Sequence, residues 1–185
     1  YKLARRKFYS LTVNSVSTLE QTISFIEIVL RYPIHRISSI YLWPKILTKI
    51  CGGRLRFPIS GGGAIAPHID SFFEALGVEL LVGYGLTETS PVLTCRRPWR
   101  NIRGGAGQPL PETEIKIVDP ETFQIKKLRQ KGLVLARGPQ IMSGYLGKLS
   151  ESKKVLDAAG WFNTGDLGML LADGSLILTG RAKDT

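Results

Sequence analysis

Histidine and cysteine are nearly missing from this chain: two of each among 185 residues, His35, His68, Cys51 and Cys95. Two histidines exclude a histidine-rich metal centre. Neither cysteine has a CxxC partner, which excludes a zinc module and a disulfide scaffold and fits a reducing compartment. Long apolar runs are missing too. The best, Ile23 to Leu30, is broken by Glu27 and falls well short of the ~20 residues a helix needs to cross a bilayer. Acidic residues are scarce at the front. Residues 1–56 hold ten Lys/Arg and two Asp/Glu, against fifteen and thirteen in residues 57–185, so the net charge of +10 belongs mostly to the first third. Such an excess suits a solvated face, nucleic acid, an anionic membrane surface or an acidic protein. A solvated face is the plainest of these.

What is present reads as globular: 43% hydrophobic and 22% charged residues, in a length that fits one ordinary domain or one and a half small ones. The chain opens on Tyr1 and stops at Thr185 just after a Gly-Arg pair, and is expected to be an internal piece of a longer protein. Residues 1–54 form a basic helical section. Ser17 or Thr18 caps a helix over 19–32, with Ile23, Ile26, Val29 and Leu30 on one face and Pro33 at its end. A second helix over 37–50 should be kinked or divided by Pro44, and Gly52-Gly53 breaks the chain.

Residues 55–91 carry a β-α-β unit: a strand over 55–60, the loop Gly61-Gly62-Gly63, a helix from Pro67 closed by Gly77, and a strand over 78–82. In a parallel sheet, the loops at 61–63 and 83–85 open at one carboxyl edge, where such sheets place ligands. The arginine-rich stretch from Arg96 to Arg103, with Trp99 inside it, reads as a surface loop; a nucleic-acid role has no fold context here. Glycines and prolines over 104–111 mark a subdomain boundary near residue 110. Strands follow at 114–118 and 132–137, then a short helix over 151–157 and a hairpin of 168–171 with 175–179 around Asp173-Gly174. The fold class is therefore α/β: residues 1–110 end a parallel-sheet α/β subdomain, and residues 111–185 form a small β-rich subdomain of distorted-barrel type.

Three stretches carry chemistry rather than packing. Gly83-Tyr84-Gly85-Leu86-Thr87-Glu88-Thr89-Ser90-Pro91 combines glycines that let backbone approach a ligand, a ring that can stack, a hydroxyl that can donate to a phosphate, and a carboxylate suited to Mg²⁺. It reads equally well as a glycine-rich turn with a half-buried tyrosine. In Gly160 to Gly168, Asp166 stands between glycines and suits the vicinal hydroxyls of a ribose, or closes a turn on its own backbone. In Gly180-Arg181-Ala182-Lys183-Asp184, Arg181 suits an anion or a sugar, or a surface ion pair.

Taken with Ser60 to Gly63 and with Arg137-Gly138-Pro139 through Gly144-Tyr145, these stretches resemble five motifs of the adenylate-forming (acyl-activating, AMP-binding) superfamily, in its order. Within it, the wording of Ile59–Ala64, Gly83–Thr89, Gly160–Asp166 and Leu178–Thr185 resembles long-chain fatty acid ligases, including the plastid and cyanobacterial branch that acylates acyl carrier protein. The resemblance implies a two-step reaction. A fatty carboxylate attacks the α-phosphorus of ATP, releasing pyrophosphate and forming acyl-AMP. A phosphopantetheine thiol, on coenzyme A or acyl carrier protein, then displaces AMP.

By motif position the resemblance implies that Gly62, Gly63, Gly83 and Gly85 border the nucleotide and Tyr84 stacks on adenine. Thr87 would hold the α-phosphate, Glu88 the Mg²⁺, Asp166 the ribose hydroxyls with Arg181 beside it, and Lys183 the pivot of a following domain. Gly105 to Gly107 would flank an acyl tunnel. A fatty acid is the implied substrate, with acyl carrier protein and a membrane surface as candidate partners. The implied setting is a plastid or a cyanobacterial cell. Two family features are absent from these residues: the phosphate-gripping loop with its lysine and the lysine-bearing C-terminal domain. The 185 residues alone are thus expected to be inactive. The alternatives are a ligase for another carboxylic acid and a non-catalytic binding module for a membrane or nucleic acid that keeps the fold.

Overall fold

The computed structural model describes residues 37–184. The helix expected over 19–32 and most of the basic first third lie outside them. The described residues fall into two compact units, 37–58 with 68–80 and 59–67 with 81–184.

In the first unit a widened helical turn, Ser38–Leu42, runs into helix α1 (Trp43–Cys51). Pro44 sits in the first turn of α1, and the helix type changes from the widened turn just ahead of it, where Pro44 has no N–H to continue the ladder. Gly52, at φ 68, ends α1 in the left-handed region. Helix α2 (Pro67–Ala75) also starts on a proline. It stops where Gly77, at φ +82, donates to Glu74 O at 2.9 Å and Val78 donates to Phe73 O at 2.9 Å. That paired closure requires a left-handed residue, which is why the helix ends at this glycine. Among the described residues no helix is long and apolar enough to cross a membrane.

The second unit carries two four-stranded sheets. In the first, β1 (Ile59–Ser60) lies parallel to β2 (Leu81–Tyr84), and β3 (Thr94–Cys95) and β4 (Gln108–Pro109) follow antiparallel. The strand expected over 55–60 shrinks to two residues; Pro58 has no N–H to give a ladder. The strand expected over 78–82 moves toward the C-terminus, so Gly83 and Tyr84 belong to the strand, paired with Cys95 and Thr94. Strands β3 and β4 have two residues each, too short for any period to show.

The second sheet is antiparallel in the order β5 (Glu114–Val118), β6 (Gly132–Arg137), β7 (Phe162–Leu170), β8 (Leu176–Arg181). The α/β class and the β-rich second part both hold. Helix α3 (Leu149–Val155) precedes β7 and sits two residues earlier than its expected place. Alternation splits the sheet's apolar residues between its faces. Ile117, Val134 and Leu176 pack on one face with Tyr84 against them; Val118, Leu133 and Leu135 pack on the other with Trp161. The two sheets join where Ala106 donates to Leu176 O at 2.7 Å and Leu176 donates to Gly107 O at 2.8 Å.

Candidate functional site

The parallel pairing of β1 with β2 puts Ser60 beside Val82, so the glycine loop after β1 and the end of β2 emerge side by side. They border a cavity of about 490 Å³ whose walls include Gly62, Gly63, Gly83, Tyr84, Gly85, Asp166 and Arg181. These are seven of the residues singled out by sequence, gathered from four separate stretches of chain. Thr87, Glu88 and Lys183 are not in that lining. Thr87 and Glu88 lie on the short 3-10 turn Thr87–Thr89 just beyond β2, and Lys183 on the turn Ala182–Asp184 just beyond β8. A second hollow, of about 600 Å³, runs over Ile115, Ile117, Leu128 and Leu170. It holds neither a glycine loop nor a carboxylate and is a groove on the outer sheet.

Asp166 is the polar centre of the first cavity. It is buried, on β7. The Tyr84 hydroxyl donates to its Oδ2 at 2.6 Å, and Arg181 Nε lies 3.1 Å from its Oδ1. Its backbone N–H donates to Thr164 Oγ1 at 3.1 Å, and the Thr164 hydroxyl donates onward to Val134 O at 2.9 Å. Burial, then the bond to Asp166, pushes the Tyr84 phenol far above its ordinary value, so it stays a neutral donor across the physiological range. A carboxylate offers about four lone-pair sites. Two are engaged, and the others are available to hydroxyl donors.

The turn after β2 is held from inside. Thr89, fully buried, accepts from Leu86 N at 2.9 Å, and its hydroxyl proton lies within reach of the Leu86 and Pro91 carbonyls at 2.9 and 3.1 Å. This folds Pro91 back over Gly85, where a Cβ would come within 1.9 Å of Pro91 O. Only glycine fits there. Gly62, at φ +83, and Gly63 differ: a Cβ at either meets nothing within 4 Å. The left-handed backbone of Gly62 itself favours glycine, whereas at Gly63 no neighbour excludes a side chain. Within the turn, Glu88 accepts from the Tyr145 hydroxyl at 2.8 Å, and its backbone carbonyl accepts from Met142 N at 2.9 Å.

One correction follows. Arg96, read as part of a surface loop, is buried at 2% exposure; its Nε donates to Gly105 O at 2.7 Å, and it lines the same cavity. Trp99 in that stretch does face solvent, at 80% exposure. At Gly107 a Cβ would meet the Cys95 backbone at 2.0 Å, so packing alone demands glycine there. Thr89, Tyr145 and Thr164 stood inside the motif stretches with no role of their own assigned. Thr164 carried a signal, since it lies two residues before Asp166 in a strand and so shares its face. Among the described residues no cluster of three or more His, Cys, Asp or Glu could hold a metal. Glu88 is a single hard-oxygen donor, which fits a Mg²⁺ held by one carboxylate and substrate phosphates.

Residues 17–146 match the family model of the AMP-binding enzyme. The chain belongs to this family. The long-chain fatty acid–acyl carrier protein ligase of Arabidopsis thaliana chloroplasts is 45% identical to it over 84% of this chain and 23% of that protein. Long-chain fatty acid–CoA ligase 1 of Schizosaccharomyces pombe is 38% identical over 76% of this chain and 21% of its own length. The chain thus spans under a quarter of the curated relatives it matches. Among solved AMP-binding structures, ATP-bound MatB of Rhodopseudomonas palustris is similar at TM-score 0.69 and 30% identity, over 75% of this chain and 28% of MatB.

Proposed function

We propose that this chain is the nucleotide-gripping part of an ATP-dependent long-chain fatty acid ligase, which forms acyl-AMP and then an acyl thioester. One observation carries the reading. A buried carboxylate with lone pairs to spare shares a cavity with two glycine loops, one of which has open space around Gly62 and Gly63. The likeness to relatives named for fatty acid ligation supports the substrate class.

The chemistry asks for positioning and charge neutralisation. A carboxylate has no good leaving group until it becomes a mixed anhydride, and the phosphoryl group brings its own. Gly62, Gly63, Gly83 and Gly85 would let backbone border the adenine, with the Tyr84 ring beside it. Asp166 would accept the ribose hydroxyls on the sites left by Tyr84 and Arg181. Arg181, already charge-paired there, would hold the sugar edge. Thr87 would donate to an α-phosphate oxygen. Glu88 would hold Mg²⁺, which when bound offsets phosphate charge. Lys183, past the end of β8, would lie at the pivot to a following domain. The acyl acceptor is a phosphopantetheine thiol, on acyl carrier protein or coenzyme A, and the plastid is the setting suggested by the Arabidopsis relative.

The test uses the full-length protein. Glu88→Gln and Asp166→Ala should each cut fatty acid-dependent ATP–pyrophosphate exchange by about a hundredfold or more. Exchange at the parent rate in both variants refutes the reading.

A further inference from the structure

We propose that Tyr145 is a positioning residue for Glu88, fixing which carboxylate oxygen is turned toward the cation of the bound nucleotide. The inference rests on the reading of Glu88 given above and adds a residue to it. Tyr145 lies 57 positions downstream, and its hydroxyl donates to Glu88 Oε1 at 2.8 Å. The phenol O–H takes one lone pair of Oε1 and leaves both lone pairs of Oε2 open to a cation.

The contact is built from the backbone outward. The Tyr145 N–H donates to Ser152 Oγ at 2.8 Å, and the Ser152 hydroxyl donates to Lys148 O at 2.8 Å. Ser152 is buried on helix α3, at 7% exposure. Gly144, at φ +141, admits this approach: a Cβ there would lie 2.9 Å from Ser152 Oγ. The same stretch grips Glu88 a second time through Met142 N on its backbone carbonyl at 2.9 Å. The segment therefore holds Glu88 at both main chain and side chain, and α3 sets the angle from which the phenol reaches it. A tyrosine that merely covered surface would need neither anchor.

The experiment is an equilibrium titration of the full-length protein with ATP, once with Mg²⁺ and once with EDTA, without fatty acid. Tyr145→Phe keeps the ring and removes only the donor. It should weaken Mg·ATP binding about tenfold and leave metal-free ATP binding unchanged, as loss of a partner that orients a metal ligand does. Ser152→Ala keeps the phenol and loosens its anchor, so it should give a smaller loss of the same kind. Unchanged Mg·ATP binding in Tyr145→Phe overturns the proposal, as does an equal loss with and without metal. A parent protein that binds ATP no better with Mg²⁺ than without it overturns the reading of Glu88 itself, and this proposal with it.

Discussion

Arg181 stands opposite Asp166 because β8 carries one residue more than β7 along their ladder. Leu170 to Gly168 pair with Leu176 to Leu178, the register then shifts, and Leu167 pairs with Gly180 and Asp166 with Arg181. Thr179 is the extra residue. Were Thr179 paired in regular register instead, Gly180 would face Asp166, and since side chains alternate faces, Arg181 would turn away from the cavity. Gly180 absorbs the irregularity at φ +152, a conformation open to glycine.

That ion pair serves binding more than folding. The Arg181 side chain is 62% exposed while Asp166 is 8% exposed; with its cationic half in solvent the pair contributes about 1 kcal/mol, and Tyr84 still serves the carboxylate when it is lost. Arg181→Gln should therefore leave the melting temperature of the full-length protein within about 2 °C of the parent. Nucleotide affinity should fall about tenfold, the loss expected from one charge-assisted contact. A large drop in melting temperature with affinity unchanged would reverse this assignment.

Tyr84 is predicted to tie stability to alkaline pH. Its folded value is raised by burial and by the bond to Asp166, so the folded protein holds the phenolic proton more tightly than the unfolded chain. The sign follows from linkage: its contribution is complete below the unfolded value of about 10 and falls away as pH rises above it. Denaturation midpoints should drop above pH ~10, and one tyrosine should gain its 295 nm phenolate band only on unfolding. Tyr84→Phe should flatten that alkaline decline. It should also destabilise the protein by about 1–3 kcal/mol near neutrality, since Asp166 then loses a buried donor.

Gly85 and Gly63 should separate folding from binding. Gly85→Ala forces a Cβ into the Pro91 carbonyl and should lower stability and nucleotide binding together. Gly63→Ala meets open space. It should leave thermal unfolding within about 0.5 kcal/mol of the parent and still weaken ATP, because the methyl group stands where a ligand would press on the backbone. Equal effects at the two positions would show that the 61–63 loop is structural.

Much of the fold was legible where patterns were long enough to have a period. Glu114–Val118 alternates, Gly132–Arg137 is an apolar run of strand length, and Asp173-Gly174 marks the hairpin between β7 and β8. The edges of β2, the two-residue strands β3 and β4, and the burial of Arg96 were not legible. Each depends on a partner distant in sequence: Cys95 for Gly83, Gln108 for Cys95, Gly105 for the Arg96 guanidinium.

By itself, the sequence determined the residue types that fit a nucleotide, their order along the chain and the α/β class, because glycine freedom, carboxylate chemistry and hydrophobic period are local properties. Tertiary structure decided which of those residues meet. A parallel pairing sets the two glycine loops side by side, and a one-residue bulge turns Arg181 to Asp166. It also spends the Tyr84 hydroxyl on that carboxylate and brings the unforeseen Tyr145 onto Glu88. Register and long-range hydrogen bonds are properties of two strands or loops at once, and no single stretch of sequence contains them.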